Sequence, residues 1–242
     1  MKPLKGRVVC ITGASRGLGR AIAEAFSAEG ASLVLGARDM PELDALASHL
    51  GDALAVQTDV RNVEDIGRLV EVAETEFGRL DIMVNNAGVA IYGPFDEVTE
   101  NDFDLMMATN VKGAFFGSQA AFRVMKRQRS GLILNISSIA GKLHMPNESA
   151  YNASKWALNG FTGTLRLEAQ AFNVKVTTVC PGGIDTPFWK GMGYYPFPAD
   201  KIDPERDFLK AEEIAQTLVH IAKGSERYAV PEVVILPMIP QL

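Results

Sequence analysis

Short apolar runs alternate along the chain with longer stretches in which apolar residues recur every three or four positions. The apolar runs are rich in β-branched and aliphatic residues and predict strands at residues 7–12, 32–37, 53–57, 80–84, 132–137, 174–179 and 230–236. The periodic stretches predict helices at residues 17–29, 63–77, 102–127, 150–171 and 211–222. Pro41 begins a further helix, and the helix at 102–127 is expected to break near residues 110–113.

Several of the predicted strands are apolar on both faces, as in VVCI at residues 8–11 and LILNI at residues 132–136. This pattern is typical of a parallel sheet that is covered by helices on both sides. Strands that alternate with helices predict an α/β, doubly wound fold of the Rossmann type. We expect residues 1–242 to form a single domain.

The composition excludes several classes of protein. With 47% hydrophobic residues and a net charge of −5, the chain is too apolar and too weakly charged to be disordered. Lys and Arg total 24 against 29 Asp and Glu, so no nucleic-acid partner is expected. No apolar run approaches the roughly 18 residues of a membrane-spanning helix, so no membrane partner is expected.

The cysteines and histidines indicate neither a disulfide nor a metal site. Cys10 and Cys180 lie in separate apolar runs and are expected to be buried, reduced thiols. Residues 1–11 lack the pattern of a secretory signal, and we expect a cytoplasmic protein. The histidines have no partners at the spacing of metal ligands, so no metal is expected; they are His49, His144 and His220.

The turn after the first predicted strand is rich in glycine. It reads TGASRGLG from Thr12 to Gly19, so that Gly13, Gly17 and Gly19 are spaced GxxxGxG. Glycines permit a tight turn and a close approach of the backbone, and the helix that follows directs its N-terminus at an anionic pyrophosphate. The position of the turn between the first strand and the first helix favours dinucleotide binding over a plain connection.

The ends of the second and third strands indicate which dinucleotide is bound. Proteins that bind NAD place an acidic residue at the end of the second strand, where it holds the ribose hydroxyls. Here Ala37 has that position and Arg38 follows, while Arg16 lies in the glycine turn. Two guanidinium groups suit a 2′-phosphate, which predicts NADPH in preference to NADH. Asp59 is placed either to meet the adenine or to cap the next helix.

A second group of residues carries acid–base chemistry. Tyr151 and Lys155 are four positions apart in a predicted helix, so their side chains lie on one face. Ser137 and Ser138 end the fifth strand, at the edge of the sheet where ligands bind in such folds. An ammonium lowers the pKa of a nearby phenol, and a serine can hydrogen-bond a carbonyl oxygen as charge develops on it. These residues could reduce a carbonyl if a cofactor supplied the hydride.

These motifs, in this order, resemble those of the short-chain dehydrogenase/reductase family, and the resemblance runs nearly from end to end of the chain. TGASRGLG resembles the glycine motif of the family, and residues 85–88 resemble its NNAG motif. Pro181 and Gly182 match the turn beside the nicotinamide, and Thr186 matches a residue near its carboxamide. The catalytic tetrad of the family is matched by Asn110, Ser138, Tyr151 and Lys155.

The resemblance implies roles for these residues. Tyr151 would donate a proton to the carbonyl, Lys155 would lower its pKa and hold the nicotinamide ribose, and Ser138 would orient the substrate. Asn110 would hold a water molecule in a proton relay. The cofactor would be bound by Gly13, Ser15, Arg16, Gly17, Leu18, Gly19, Arg38, Asp59, Val60, Asn86, Ala87, Gly88, Tyr151, Lys155, Pro181, Gly182, Ile184 and Thr186.

The resemblance also implies a fold and an assembly. The family has a seven-stranded parallel sheet with helices on both faces, and most of its members are tetramers or dimers that associate through two long helices. A homo-oligomer is therefore expected. The end of the chain, SERYAVPEVVILPMIPQL, departs from the glycine-rich VDGG-type segment of many relatives, which argues against a ketoacyl reductase of fatty-acid synthesis.

The segment after the sixth strand predicts a lid at about residues 186–209 that closes over the nicotinamide end of the cleft; the alternative is an oligomer contact. It interleaves aromatic residues with helix-breaking ones, namely Phe188, Trp189, Tyr194, Tyr195 and Phe197 with Gly191, Gly193, Pro196 and Pro198. Its only lysines are Lys190 and Lys201, which favours a mainly apolar ketone over a polyanionic substrate.

The sequence therefore predicts an NADPH-dependent oxidoreductase that reversibly reduces a small-molecule ketone or aldehyde to an alcohol. One alternative within the family is a 3-hydroxy acid dehydrogenase or a short-chain alcohol dehydrogenase. An alternative of another class is a regulatory protein that binds NADP without turnover. The complete Asn-Ser-Tyr-Lys set favours the enzyme, because a sensor needs no proton donor.

Overall fold

A computed structural model describes residues 3–190 and 202–238 of the chain. In the first half, strands and helices alternate strictly: β1 Val8–Thr12, α1 Gly17–Ala28, β2 Ser32–Ala37, α2 Met40–Leu50, β3 Ala53–Gln57, α3 Val63–Phe77 and β4 Ile82–Asn85. The second half begins with α4 Glu100–Met106, a π-helical segment Met107–Gly113, α5 Ala114–Gln128, β5 Gly131–Ile136, α6 Ser149–Gln170 and β6 Val174–Pro181. It ends with β7 Ile184–Asp185, α7 Pro204–Asp207, β8 Leu209–Lys210, α8 Ala211–Ala222 and β9 Glu232–Ile235.

Seven of the described strands form one parallel sheet in the order β3-β2-β1-β4-β5-β6-β9. This confirms the predicted doubly wound α/β fold. The chain moves outward from β1 to β3 and then returns to place β4 on the other side of β1. A crevice forms at such a reversal, outside the carboxyl ends of the strands, and this is where ligands bind in open α/β sheets.

Hydrophobic cores lie on both faces of the sheet. Val9 and Ile11 of β1 pack with residues of α1, α2 and α8, whereas Val8 and Cys10 pack with residues of α3 and α5. Both sets of side chains are almost completely buried. The apolar runs without alternation in the sequence are thus explained by burial on two sides.

A polar network inside the second core connects the sheet to its helices. The Asn85 side-chain amide donates to Asn135 Oδ1 at 2.8 Å and to Ser118 Oγ at 3.0 Å. The Asn135 amide donates to Thr162 Oγ1 at 2.9 Å. Because buried amides are costly to leave unpaired, these bonds set the positions of α5 and α6 relative to β4 and β5.

The break predicted in the long helix is a π-helical segment, Met107–Gly113, between α4 and α5. At its end, a side chain on Gly113 would meet Val60 at 2.9 Å, so only glycine allows this helix to approach the β3–α3 loop. The two-stranded sheet of β7 and β8 was not predicted, because each of these strands has only two residues.

The predicted lid is described only in part. Phe188 and Trp189 lie in a short 3₁₀ turn, Pro187–Trp189, and residues 202–209 contain α7 and β8. The rest of the predicted lid lies outside the described residues, including Gly191, Gly193, Tyr194, Tyr195, Pro196, Phe197, Pro198 and Lys201. In the described part of the chain, no helix has both the length and the apolarity that crossing a bilayer requires.

Candidate active site

The carboxyl ends of β1, β2, β4, β5 and β6 open into a cavity of about 1030 Å³. Of the residues singled out in the sequence, Asn110 alone is not part of its wall. The lining includes Gly13, Ser15, Arg16, Gly17, Leu18, Gly19, Arg38, Asp59, Val60, Asn86, Ala87, Gly88, Ser138, Tyr151, Lys155, Pro181, Gly182, Ile184 and Thr186. The fold therefore brings residues from seven separate stretches of the chain to one cleft.

The glycine turn has no room for side chains. Gly13 and Gly17 have φ values of +65° and +55°, which L-residues rarely adopt. A Cβ on Gly19 would lie 2.1 Å from the Gly13 carbonyl oxygen. Helix α1 follows directly, and among the described residues no side chain caps its first turn. Its first N–H groups are thus available to an anion in the cleft, as a pyrophosphate cradle requires.

Thr12 connects this turn to the opposite wall of the cleft. Its hydroxyl accepts hydrogen bonds from the backbone N–H groups of Asn86 at 3.0 Å and Ala87 at 3.1 Å. The Asn86 amide in turn donates to the carbonyls of Thr12 at 3.0 Å and Gly13 at 3.1 Å. The amide of Asn86 is therefore occupied in holding the glycine turn, although the residue also lines the cavity.

The end of the cleft that is predicted to bind the adenosine of the cofactor carries exposed arginines. Arg16 and Arg38 line the cavity, and neither forms an ion pair within the described residues. Asp59, by contrast, is paired with Arg61, whose hydrogen bonds hold the pKa of Asp59 below its usual value. Helix α3 is capped by Asn62, so the capping role considered for Asp59 is wrong.

The other end of the cleft is formed by Ser138, Tyr151 and Lys155, which lie together. The Ser138 side chain interacts with that of Tyr151 and lowers its pKa slightly, against the larger effect of burial. Lys155 Nζ donates to the carbonyl of Ile136 at 3.1 Å and lies 5.6 Å from the centre of the Tyr151 ring. Tyr151 is 6% exposed and Lys155 is 5% exposed, so both groups are held within the protein at the wall of the cavity.

Burial governs the ionisation of this group. It raises the pKa of the Tyr151 hydroxyl, against a smaller lowering effect of the Ser138 side chain. It lowers the pKa of Lys155 to about 8. The lowering of the Tyr151 pKa by Lys155 that the resemblance implied stays a prediction. With its pKa raised by burial, Tyr151 is a protonated phenol at neutral pH, which is the form that can donate a proton.

Asn110 lies behind the cavity, in the π-helical segment. Its Oδ1 accepts from the Val89 N–H at 2.8 Å, and its amide donates to the Val89 carbonyl at 2.8 Å and to Ser154 Oγ at 3.0 Å. These bonds connect the loop after β4 to helix α6, so the geometry makes Asn110 a positioning residue. The water relay implied by the resemblance stays a prediction.

Sequence reasoning missed Glu148 and Tyr92, which both line the cavity. Glu148 is 3% exposed and immediately precedes α6, and burial raises the pKa of its carboxyl to about 7. Its position one helical turn before Tyr151 was the signal that could have revealed it. Tyr92 lies in a loop without a periodic pattern, and its ring meets that of Tyr151 edge to face at 5.6 Å.

Aromatic rings form the rest of this wall. The Tyr92 ring lies 6.3 Å from that of Trp189, and the Tyr151 ring lies 6.5 Å from that of Phe188. The described part of the predicted lid thus contacts the proposed proton donor. Closure of the lid stays a prediction. Among the described residues, no three histidine, cysteine or acidic side chains converge as metal ligands would.

The family model for short chain dehydrogenases matches residues 7–193 of the sequence. The chain belongs to the short-chain dehydrogenase family. Two relatives are similar over almost their whole length. A sepiapterin reductase of Chlorobaculum tepidum is 35% identical, with 95% of this chain and 96% of that protein covered. An uncharacterized oxidoreductase of Staphylococcus saprophyticus is 31% identical, with 98% of each chain covered.

Solved structures of short-chain dehydrogenases share the fold. An alcohol dehydrogenase of the archaeon Thermococcus sibiricus, complexed with 5-hydroxy-NADP, has a TM-score of 0.87 at 29% identity, with 98% of both chains covered. A metagenomic short-chain oxidoreductase in complex with NADP has a TM-score of 0.82 at 30% identity, with 98% of this chain and 100% of that chain covered. The protein is therefore an oxidoreductase of this family, and the neighbours support a nicotinamide cofactor.

The hydrogen bonds of the Thr12 hydroxyl give a test of the part of the site that is predicted to bind the cofactor. Thr12→Val removes the hydroxyl but keeps the shape, and it leaves two buried N–H groups unpaired. We expect the free energy of unfolding to fall by about 2–4 kcal/mol, and the affinity for NADPH to fall with it. Urea denaturation and a fluorescence titration with NADPH measure the two effects.

Thr12→Ser is the matched control, because it keeps the hydroxyl and loses only a methyl group. It should retain most of the stability and the affinity for NADPH. If the Val and Ser variants unfolded at the same urea concentration and bound NADPH equally well, the hydroxyl would have no part in holding the cleft.

Proposed function

We propose that this short-chain dehydrogenase uses NADPH to reduce a ketone or an aldehyde to an alcohol, and that it catalyses the reverse reaction at high alcohol concentration. The observation that carries the proposal is that Ser138 and Tyr151 lie together at the wall of one cavity, beside the buried Lys155. A protein that only senses the cofactor has no need of a proton donor at this place.

The residues of the cofactor cleft fit a pyridine dinucleotide. Gly13 and Gly19 let the turn pack closely on itself and on Asn86 and Ala87, and the uncapped start of α1 that follows offers its N–H groups to a pyrophosphate. When bound, the cofactor supplies the hydride that the carbonyl carbon accepts. Lys155, with its ammonium beside the Tyr151 ring, is placed to hold the ribose next to the nicotinamide.

The chain itself supplies the proton and the orientation. Ser138 would hydrogen-bond the carbonyl oxygen and so fix the substrate against Tyr151. The Tyr151 hydroxyl would give its proton to that oxygen as the carbonyl group is reduced and negative charge develops on the oxygen. Its raised pKa keeps the phenol protonated until then, and negative charge on the oxygen makes the transfer favourable. Phe188 and Trp189 would shield the reacting atoms from water.

The charges at the adenosine end support NADPH. Arg16 and Arg38 are unpaired within the described residues, whereas Asp59 is neutralised by Arg61. Asp39, the acidic residue next to Arg38, caps α2 by accepting from the Glu42 N–H at 3.5 Å. Two free guanidinium groups at one end of the cleft can take a 2′-phosphate with charge-assisted hydrogen bonds.

An exposed apolar face on α5 and α6 supports a homo-oligomer. Phe115 and Trp156 are each nearly half exposed, and Leu167 is 71% exposed. Water-exposed groups of this size are typical of an interface rather than a free surface. We therefore propose that copies of the chain associate through these two helices.

Removal of the proton donor tests the reaction. Tyr151→Phe should lower kcat by roughly 10²–10⁴-fold while the Kd for NADPH stays close to that of the wild type, because only the proton transfer is lost. Tyr228→Phe, at an exposed position far from the cavity, is the matched control and should be as active as the wild type. Steady-state kinetics with the best carbonyl substrate decide, and near-normal kcat in Tyr151→Phe would refute the assignment.

Removal of an unpaired guanidinium tests the cofactor. One charge-assisted contact to a 2′-phosphate contributes about 1.5–3 kcal/mol, or roughly 10–150-fold in kcat/KM for NADPH over NADH. Arg38→Asp should abolish or reverse the preference, whereas Arg227→Asp, which makes the same change of charge in an exposed loop, should leave it intact. Equal kcat/KM for NADPH and NADH in the wild type would contradict the proposal.

The assembly is tested by light scattering after size-exclusion chromatography. We expect the wild type to elute as a dimer or tetramer. Leu167→Glu places a charge in the proposed interface and should shift the protein toward smaller species, and Val63→Glu, at an exposed apolar position on α3, should not. A monomeric wild type would rule out the interface.

A further inference from the structure

Glu148 is a buried acid that the proposed reaction does not use. Its side chain lines the cavity, and the residue is only 3% exposed. Its backbone is fully engaged, because its N–H donates to the Met145 carbonyl at 3.4 Å and its carbonyl accepts from the Asn152 N–H at 2.7 Å. Among residues 3–190 and 202–238, no group donates a hydrogen bond to its carboxyl, and burial alone accounts for the shift of its pKa.

Among the described residues that line the cavity, no cation is paired with this carboxyl. The cations that line the cavity elsewhere are Arg16, Arg38 and Arg61, which belong to the ends of β1, β2 and β3. Lys155 is also near, in the helix α6 that Glu148 precedes. Its ammonium, however, donates to the Ile136 carbonyl and lies beside the Tyr151 ring. An acid without a partner is costly to keep buried, so its presence in a ligand cavity indicates that a ligand supplies the partner.

The neighbours of Glu148 favour a cationic partner. Burial raises the pKa of the Tyr92 and Tyr151 phenols, and the nearby carboxyl of Glu148 adds a smaller contribution to both. The two rings meet edge to face at 5.6 Å, and Trp189 lies beside Tyr92. Aromatic faces attract an ammonium group, and a carboxylate next to them adds a charge-assisted hydrogen bond.

We propose that Glu148 is a specificity-determining residue, whose carboxylate accepts a hydrogen bond from a protonated amine on the carbonyl substrate. This inference rests on the proposed carbonyl reduction and narrows its substrate class to amino ketones and amino aldehydes. The amine would lie between the carboxylate and the ring of Tyr92, while the carbonyl group reaches Ser138 and Tyr151. The rest of the substrate would be apolar, as the aromatic wall requires.

Two matched ketones test the proposal by kinetics with NADPH. One is an acetophenone with an aminomethyl group at the meta or para position, and the other carries an ethyl group at the same position. The wild type should have a kcat/KM at least about tenfold higher for the aminomethyl ketone. Glu148→Gln should remove most of this preference, chiefly through KM, while it changes kcat/KM for the ethyl ketone little.

Glu168→Gln is the control, because Glu168 is an exposed acid at the far end of the same helix. It should leave the preference unchanged. The comparison within the wild type needs no variant, so the test holds even if Glu148→Gln does not fold. Equal kcat/KM for the two ketones in the wild type, or an equal loss for both in Glu148→Gln, would overturn the proposal.

A binding experiment separates this inference from the proposed reaction. The corresponding benzamides, with an aminomethyl or an ethyl group, carry a carbonyl that accepts no hydride, and calorimetry measures their binding to the NADPH-loaded protein. Tighter binding of the aminomethyl amide supports the role of Glu148 even if neither ketone is reduced, in which case only the proposed reaction fails. Equal binding of the two amides overturns the role of Glu148 whatever the ketones do.

Discussion

The hydroxyl of Thr12 lies where the order of the strands reverses, and it bonds the backbone of Asn86 and Ala87 on the other side of the cleft. Much of the part of the cleft that is proposed to bind the cofactor depends on this contact. It sets the distance between the glycine turn and the segment after β4, and Asn86 closes the same junction with two more bonds. The turn then has no space for side chains, and the start of α1 is directed into the cavity.

The catalytic half depends on a second constraint, the burial of polar groups between β5 and α6. Lys155 is held by the Ile136 carbonyl, and Asn135 in the same strand bonds Thr162 in the same helix. Asn110 adds a link from the loop after β4 to Ser154. Because each buried donor has one good partner, the positions of Tyr151 and Lys155 have little freedom, as proton transfer at a defined atom requires.

The sequence predicts the fold well because the signals are local. Apolar runs without alternation require cover on both faces, and Gly13 and Gly17 of the first turn have φ values that other residues rarely adopt. Because parallel strands bring their carboxyl ends to one edge, the sequence also predicts that the glycine turn, Arg38 and Ser138 meet in one cleft. The other cofactor-binding residues were expected from the resemblance to the family. The break in the long helix was predicted from a local signal, because Gly113 interrupts the helical pattern.

The sequence does not show how far each side chain is exposed to solvent. The position of Glu148 one helical turn before Tyr151 places it near the site, but the surrounding turn residues do not show that the residue is buried. The same limit explains Tyr151, whose pKa is raised by burial although a lysine lies four positions away. The pairing of Asp59 with Arg61 and the two short strands β7 and β8 depend on contacts in space, and two-residue strands carry no periodicity.

The central claim is that this cavity transfers hydride from NADPH to a carbonyl carbon while the protein supplies the proton. The most direct test uses NADPH with both C4 hydrogens of the dihydronicotinamide replaced by deuterium, a carbonyl substrate, and mass spectrometry of the product. The account predicts an alcohol with one deuterium on the carbinol carbon and with a hydroxyl hydrogen that comes from solvent. Oxidation of NADPH without deuterium in the alcohol, or no alcohol from any ketone or aldehyde, would contradict it.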